Sequence, residues 1–540
     1  MNFTIVSKYL NYFQILLKRI YINIDLYYLF ISCFHFFLTF FIDKLIFTIH
    51  YEEVSTLKYL IIKSMFFIFL FIIWQIIGYI IRIYSNSVIT RDYVKFTFIY
   101  FNIMLIFLLT IMPCNIKEHA GFFYLANTAS LVQTIMFEPY IMEYFRIFSM
   151  MLFPCLSGIV IGQLIIISLI IGYILTKFNY YFKSSKIVYA MYIPFLMFLV
   201  IQNNLFMDTC IIYSYIILLL IFKLFFIKID NREITTQDII IITLITSILG
   251  TLRAEGIIFI ALVPIIFIII NYHKYKAKQI GLFFLSLIIM TFIFIPKYID
   301  ISFISKQEDK YQGIYKKLYI MDYSFKVLLK EAVKRNDKEI ISEFTPDFDM
   351  KYLLADSTKI GMPLYVNLSE EHRHQFDVIA EKLMEKYQKT YIIYKLQDSF
   401  LRSYNHQIYK IGVEKINFKD NKGARKAYNK IDDKLILYCN DTRNYFADLF
   451  KKHATSKGSL LIPLSIVCSI ILISLLFMKK TLFLISSLIL VHAVSVSLLA
   501  PYGAFRYYFY FYLYGYLVIT IFVVSIIYNL TAEKKFEVFI

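Results

Sequence analysis

Long apolar runs separated by short polar segments dominate the hydrophobic pattern of this chain. A helix needs about 20 apolar residues to cross a bilayer, and ten runs approach or exceed that length. They fall at about 24–48, 59–82, 96–112, 152–175, 187–205, 209–229, 279–297, 459–478, 481–500 and 505–528. The pattern therefore predicts an all-α polytopic membrane protein.

One further apolar stretch, at about 237–271, is interrupted by GTLRAEG from Gly250 to Gly256. It is long for one crossing and short for two. Basic residues gather in cytoplasmic loops, and a single crossing would place the lysine cluster at 274–278 opposite the other basic clusters. A two-pass or re-entrant stretch keeps the clusters together. We therefore expect about twelve transmembrane helices, with both termini cytoplasmic.

Two segments between the apolar runs are too long to be simple turns. Residues 113–151 alternate apolar and ionisable positions, which predicts amphipathic helices of an outer loop at the membrane surface. Residues 298–458 are polar and have helical patterning near 322–335 and 371–395, which predicts one mostly helical extracytoplasmic domain. The expected division is an N-terminal transmembrane region, the outer domain and C-terminal helices, at 1–297, 298–458 and 459–540.

The amino-acid composition agrees with a membrane protein and bears on which partners the chain binds. Of the 540 residues, 59% are hydrophobic, and the mean hydropathy is +0.65, more apolar than a soluble domain requires. The net charge of +18 is explained by basic loops, so we expect a lipid bilayer and no nucleic acid as partner. The six cysteines are scattered without CxxC spacing or histidine partners, which argues against zinc.

Ionisable residues in the outer loop are the first candidates for chemistry, because charges near membrane depth are costly and often mark function. Glu118 would accept a proton from an attacking hydroxyl or is a solvated acid beside Lys117 and His119. A lone histidine such as His119 is more often structural. Glu138 and Glu143 surround a proline that favours a helix start, where Glu138 would interact with the helix dipole.

The remaining candidates lie near other predicted helix ends. Asp208 is a candidate second carboxylate of the site and a candidate helix N-cap, and the two roles are compatible. Arg253 and Glu255 are two residues apart and would not face each other on a regular helix. The flanking glycines favour a break that points Arg253 into a cavity, where a guanidinium suits phosphate; the alternative is a short turn with a loose ion pair. Arg506 would stabilise a departing phosphate or anchor the last helix at the interface.

The order of these features resembles the GT-C superfamily of polyprenol-phosphate-dependent membrane glycosyltransferases. The similarity is to the bacterial branch related to protein O-mannosyltransferases and lipid-A aminoarabinose transferases. Glu118 stands where such enzymes carry the acidic residue of the first long outer loop. The segments EPYIMEYFRIFSMMLFPCLSGIVIGQLIII, NNLFMDTCIIYSYIILL, TLRAEGIIFI and PYGAFRYYFYFYLYGYL resemble, in turn, the loop-to-helix passage, the outer Asp turn, the later Arg turn and the terminal Arg-Tyr helix start.

The resemblance implies a GT-C-like fold and an inverting glycosyltransferase. It implies transfer of a sugar from a polyprenyl-phosphate donor to a glycan, lipid or protein acceptor, at the outer face of the bacterial cytoplasmic (inner) membrane. Glu118 and Asp208 would be the catalytic carboxylates, and Arg253, Arg506 and Tyr507 would bind the donor phosphate. Further candidates for the site are Lys117, His119, Glu138, Glu143 and Glu255.

No cofactor is required by this chemistry, because a phosphate leaving group needs little acid assistance; a divalent cation is compatible with it but not indicated. Two other functions fit the same pattern. A polysaccharide polymerase or O-antigen ligase also has about a dozen helices and a large outer loop. A lipid-linked oligosaccharide flippase or other transporter would carry charges midway along its helices, whereas the charges here collect near helix ends.

Overall fold

The structure is a computed structural model, and it describes the chain in separate ranges. These are residues 26–46, 56–110, 140–154, 157–182, 185–230, 234–270, 280, 283–284, 286–288, 327–343, 378–379, 382–397, 461–476, 479–499 and 505–531. All regular secondary structure in these ranges is helical.

Five helices of the described ranges are long and apolar enough to cross a membrane. They are Tyr59–Tyr84, Val88–Leu109, Gly158–Phe182, Thr209–Ile229 and Lys480–Leu498. The chain is therefore a helical, membrane-embedded protein, as the apolar runs predict. The total of twelve spans, the GT-C fold and the division at residues 297 and 458 stay predictions.

The described helices belong to two compact units. The first unit contains Leu26–Ile46, Thr56–Tyr84, Val88–Thr110, most of Tyr140–Leu152 and Gly158–Phe182 as far as Tyr181. The second unit contains the described helices from Ser185 onward, and it holds the residues of the candidate site.

A buried ion pair joins the first two helices of the first unit. Lys63 donates to Asp43 and to the Thr39 hydroxyl, and the Tyr59 hydroxyl donates to the same Asp43 oxygen at 2.7 Å. The Lys63 and Asp43 side chains are 1% and 0% exposed. Charged groups within a membrane-embedded hairpin are tolerated when they are paired with each other. The ion pair therefore explains how both side chains can be buried. The sequence indicates this pair, because Asp43 lies near the end of one apolar run and Lys63 near the start of the next.

The helix Tyr140–Leu152 forms within the loop that was expected to hold amphipathic helices, and its described side chains are mostly buried. None of the side chains described in it is exposed. Glu143 accepts a hydrogen bond from Arg146 at 2.7 Å, and these side chains are 0% and 2% exposed. The two charged positions neutralise each other across one helical turn, which allows both to be buried. The location of this helix at the membrane surface stays a prediction.

The second unit begins with a departure from the predicted spans. The run at 187–205 forms three short helices, Ser185–Ala190, Ile193–Leu196 and Phe198–Asn204, in place of one span. Met197 has φ −61° and ψ 140°, an extended conformation that separates the last two. A proline in the first turn of Ile193–Leu196 also removes a backbone donor there. Sequence hydrophobicity did not reveal these breaks.

The apolar stretch at 237–271 forms two helices, Thr236–Leu252 and Ile257–Ile270, that pack against each other. Between them Arg253 is extended, and a single 3₁₀ turn covers Ala254–Gly256. The predicted backbone break is therefore confirmed. Among the described residues, the unit also contains the apolar helices Thr209–Ile229, Leu461–Leu476, Lys480–Leu499 and Phe509–Thr531, the last preceded by the 3₁₀ turn Phe505–Tyr508.

Helices also form in the polar segment. They are 327–334, Lys338–Ser342, 382–386 and Gln388–Gln397. Ile379, Leu383 and Tyr387 share one face of the helical pattern in residues 371–395, and all three are buried. The Tyr387 hydroxyl donates to Asp337 at 2.7 Å, which ties the two parts of the segment together.

The turn at Gly256 depends on a close backbone approach. A Cβ atom at Gly256 would lie 1.9 Å from the Leu249 carbonyl oxygen, whereas a Cβ atom at Gly250 would meet only the end of the Ile260 side chain, at 2.2 Å. The backbone cannot move aside as a side chain can, so Gly256 is the more restrictive of the two positions.

We expect Gly256→Ala to lower the free energy of unfolding by about 1–3 kcal/mol, the range for overpacking. Gly250→Ala serves as the matched control and should cost clearly less, because Ile260 can change rotamer. Thermal unfolding of the purified full chain in detergent measures both. Equal losses for the two variants would contradict the steric account.

The Asp337 contact predicts acid sensitivity of the polar segment. Hydrogen bonds from Tyr387 and then Lys386 hold the pKa of Asp337 below its ordinary value. A lowered folded-state pKa contributes stability above the unfolded pKa of about 3.9, and that stability is lost as the pH falls through the folded value. We expect the protection of the Gln388–Gln397 amides against exchange, relative to the intrinsic rate at each pH, to fall below about pH 4, and Asp337→Asn to remove most of that pH response.

Glu331→Gln is the control for this measurement, because Glu331 forms an ordinary exposed pair with Arg335 four residues away. Its exchange profile should follow that of the unaltered chain. A pH response that survives Asp337→Asn would assign the acid sensitivity to other carboxylates.

Candidate functional site

The centre of the candidate site is a guanidinium held at the break between two helices. Arg253 donates from Nε to Glu255 Oε2 at 3.1 Å and from Nη2 to Glu255 Oε1 at 2.7 Å. The extended conformation of Arg253 turns these side chains toward each other, which a regular helix would not allow. The pair has two-point geometry and is largely buried, with side chains 17% and 6% exposed. It is therefore not the loose ion pair that the sequence left open.

Three other side chains surround the guanidinium. Its Nη1 donates to the sulfur of Cys210. The centre of the guanidinium lies 4.8 Å from the Tyr507 ring centroid and 5.9 Å from that of Tyr213. Aromatic faces attract cations within about 6 Å, so both rings stabilise the charge of Arg253 and limit its movement.

Asp208 lies at the start of the helix that supplies Cys210 and Tyr213. Its side chain accepts a hydrogen bond from the Cys210 amide at 2.8 Å, which makes it the N-cap of Thr209–Ile229. The cap holds the first turn of this helix, and Cys210 of the same turn contacts Arg253. The helix-cap role of Asp208 is thus confirmed, and its second role as a carboxylate of the reaction stays a prediction.

A buried aromatic cluster is connected to the guanidinium through Tyr213. Tyr213 forms a hydrogen bond with His492 at 2.8 Å between its hydroxyl and Nε2. The imidazole centroid is 4.6 Å from the Phe259 ring and 4.7 Å from the Tyr510 ring. His492 and Tyr510 are each 0% exposed, so the cluster is sealed within the second unit.

The fold brings together four of the residues that the sequence singled out. Asp208, Arg253, Glu255 and Tyr507 all lie at helix ends of the second unit, and Cys210 connects the cap to the guanidinium. Arg506 precedes Tyr507 in the same 3₁₀ turn, and only its backbone is described. Glu143 belongs to the first unit, where it pairs with Arg146. The other loop candidates lie outside the described residues: Lys117, Glu118, His119 and Glu138.

The sequence analysis did not identify three residues of the site, Cys210, Tyr213 and His492. Tyr213 follows Cys210 by three residues, so helical periodicity from the predicted cap would have found both on one face. His492 is a polar residue in the apolar run 481–500, and a polar group within such a run indicates a functional or buried position. Nothing along the chain, however, connects His492 to Tyr213, which is 279 positions away.

The Arg253–Glu255 pair is ionised, and the guanidinium keeps N–H donors for a further partner. Burial is the largest influence on the Glu255 carboxyl and raises its pKa, but the charge and hydrogen bonds of Arg253 act together with a backbone hydrogen bond in the opposite direction, and the pKa lies below its ordinary value. An arginine has five N–H donors, and Arg253 uses three of them on Glu255 and Cys210. The other two make no hydrogen bond to any residue that the structure describes. The arrangement can therefore bind an additional oxyanion.

No group of three or more His, Cys, Asp or Glu side chains lies close enough to hold a metal ion in the described ranges. Comparison of the chain with models of known protein families, with curated proteins and with solved structures gives no match.

The two-point pair predicts strong coupling between Arg253 and Glu255. Arg253→Lys cannot reproduce the fork geometry, and Glu255→Gln leaves a largely buried guanidinium without its carboxylate. We expect each to lower the free energy of unfolding by about 1–3 kcal/mol, the cost of an unsatisfied polar group. The double variant should lose much less than the sum. Thermal unfolding of the four proteins measures the cycle, and additive losses would show that the pair is not a unit.

Proposed function

We propose that this membrane protein is an inverting glycosyltransferase that moves a sugar from a polyprenyl-phosphate donor to an acceptor hydroxyl. One observation carries the proposal: an arginine is held rigidly at a helix break, next to an aromatic ring and a capped helix start, with donors left over. A buried guanidinium of this kind suits a phosphate group. The apolar helices around it suit a donor whose lipid chain stays in the bilayer.

Arg253 is the proposed donor-phosphate ligand. Glu255 neutralises its charge in the resting state but occupies only one edge of the guanidinium, and 17% of the Arg253 side chain is exposed. The two remaining N–H groups would donate to phosphate oxygens. Preorganised donors stabilise developing charge without reorganisation, so the tight hold of Glu255 and Tyr507 on Arg253 supports this role.

Arg506 is proposed as the second cation at the phosphate. It immediately precedes Tyr507, which contacts the Arg253 guanidinium. A phosphate added to the neutral Arg253–Glu255 pair would leave excess negative charge, and a second guanidinium offsets it. Tyr507 completes this set by holding Arg253 in place.

The proposed reaction is a single displacement. The oxygen of the acceptor hydroxyl attacks the anomeric carbon of the donor sugar, and the bond from that carbon to the phosphate oxygen breaks. Glu118 takes the hydroxyl proton, and the polyprenyl phosphate leaves with the bonding electrons. Attack from the face opposite the leaving group inverts the anomeric centre. Asp208 remains the candidate second carboxylate, beside its role as helix cap.

The acceptor is proposed to be a glycan, lipid or protein at the extracytoplasmic face of a bacterial cytoplasmic membrane. The helix ends that carry Asp208, Arg253 and Tyr507 lie close together around the guanidinium, which supports a single active face. The polar segment 298–458 would then shape the acceptor side.

The test is sugar transfer by the purified full chain in lipid vesicles, supplied with a panel of radiolabelled polyprenyl-phosphate sugars. We expect turnover of one donor, a loss of about 10²-fold or more with Glu118→Gln, and a loss of about 10²-fold with Arg253→Lys. Arg335→Lys is the matched control, because Arg335 also pairs with a glutamate and lies over a tyrosine ring, at 5.4 Å, but in the polar segment.

Three results would change the proposal. Turnover that survives Glu118→Gln would point to a polymerase or O-antigen ligase, which relies on arginines more than on this acid. Equal losses for Arg253→Lys and Arg335→Lys would remove Arg253 from the phosphate site. No turnover with any donor, together with movement of lipid-linked glycan across the vesicles, would establish a transporter.

A further inference from the structure

His492 has a central position among the elements of the candidate site. It hydrogen-bonds Tyr213 of Thr209–Ile229, and its ring packs against Phe259 of Ile257–Ile270 and Tyr510 of Phe509–Thr531. Each of these three partners lies within the first two turns of its helix. One imidazole thus contacts the starts of three helices that surround Arg253.

Packing alone does not account for an imidazole at this position. Nδ1 of His492 and the hydroxyl of Tyr510 form no hydrogen bond to any described residue, although both side chains are fully buried. A buried polar atom without a partner lowers stability. A phenylalanine would fill the same space without this cost, so the hydrogen bond to Tyr213 is the contribution that an apolar ring cannot make.

That hydrogen bond bears on the phosphate site through one intermediate ring. Tyr213 presents its ring to the Arg253 guanidinium at 5.9 Å, and its hydroxyl is held by His492 on the other side. Without the hydrogen bond, the ring is restrained by packing only. The aromatic contact between Tyr213 and the guanidinium would then be less firmly fixed.

We propose that His492 is a positioning residue for the donor phosphate: it holds the Tyr213 hydroxyl and so fixes the ring that supports Arg253. This inference rests on the proposed function. It assigns His492 no contact with the substrate, and it predicts that the residue acts on donor affinity and leaves the chemical step nearly unchanged.

The test measures binding of a short-chain polyprenyl monophosphate, the product of transfer, to the purified full chain by isothermal titration. Tyr213→Phe and His492→Phe each keep the ring and remove one side of the hydrogen bond. We expect each to raise the Kd roughly fivefold, the factor for one hydrogen bond, and the double variant to raise it no further. His492→Gln, whose amide can take the place of Nε2, should restore most of the affinity.

Tyr514→Phe is the matched control. Tyr514 and Ser486 share a buried hydrogen bond of 2.7 Å that joins Lys480–Leu499, the helix of His492, to Phe509–Thr531. Among the described residues, this bond involves no member of the aromatic cluster. This variant should leave the Kd unchanged while altering thermal stability about as much as His492→Phe does. In transfer assays His492→Phe should raise the donor KM by the same factor with kcat nearly constant.

The outcomes separate the two hypotheses. Binding that is equally weakened by Tyr514→Phe, or losses that add in the Tyr213 and His492 double variant, would show generic loosening of the helices and overturn the positioning role. Phosphate binding that no variant changes would also overturn it while leaving the proposed function intact. No binding by the unaltered chain would overturn both.

Discussion

The candidate site depends on one ion pair that forms only because a helix is interrupted. Arg253 and Glu255 are two residues apart, and their side chains meet because Arg253 is extended and Ala254–Gly256 forms a 3₁₀ turn. The turn in turn needs Gly256, since any side chain there would meet the backbone of Leu249. A steric requirement at one glycine thus determines where a charged group lies.

Neutralisation of buried charge recurs through the described helices. Lys63 pairs with Asp43, Arg146 with Glu143 and Lys223 with Asp238, and all six side chains are largely buried. Such pairs are what an apolar environment demands of any ionised group. Arg253 differs from Lys63, Arg146 and Lys223 because it lies at a break between two helices and not inside one, and because its bonds to Glu255 and Cys210 leave two guanidinium donors for a further oxyanion. This difference, more than the presence of charge, supports a functional role.

The ends of several helices meet at this guanidinium, and each contributes through ordinary local chemistry. Asp208 caps one helix, the 3₁₀ turn before Phe509 supplies Tyr507, and His492 reaches across from a fourth helix to the Tyr213 hydroxyl. Ends of neighbouring helices are a natural place for a site in a membrane protein, because polar groups there can be satisfied without crossing the lipid. For the same reason, the predicted residues that meet in the structure, Asp208, Arg253 and Tyr507, are ones that lie near helix ends.

Local sequence determined the helical membrane class, the break at Arg253 and the cap at Asp208, because apolar run length, flanking glycines and a short acidic side chain act over a few residues. The division of 187–205 into three helices, the burial of Tyr140–Leu152 and the two-point geometry of Arg253 with Glu255 were decided by tertiary packing. So was the partnership of Tyr213 with His492, 279 positions apart. Hydrophobicity says that a residue leaves water, whereas only the packed helices determine which group it meets there.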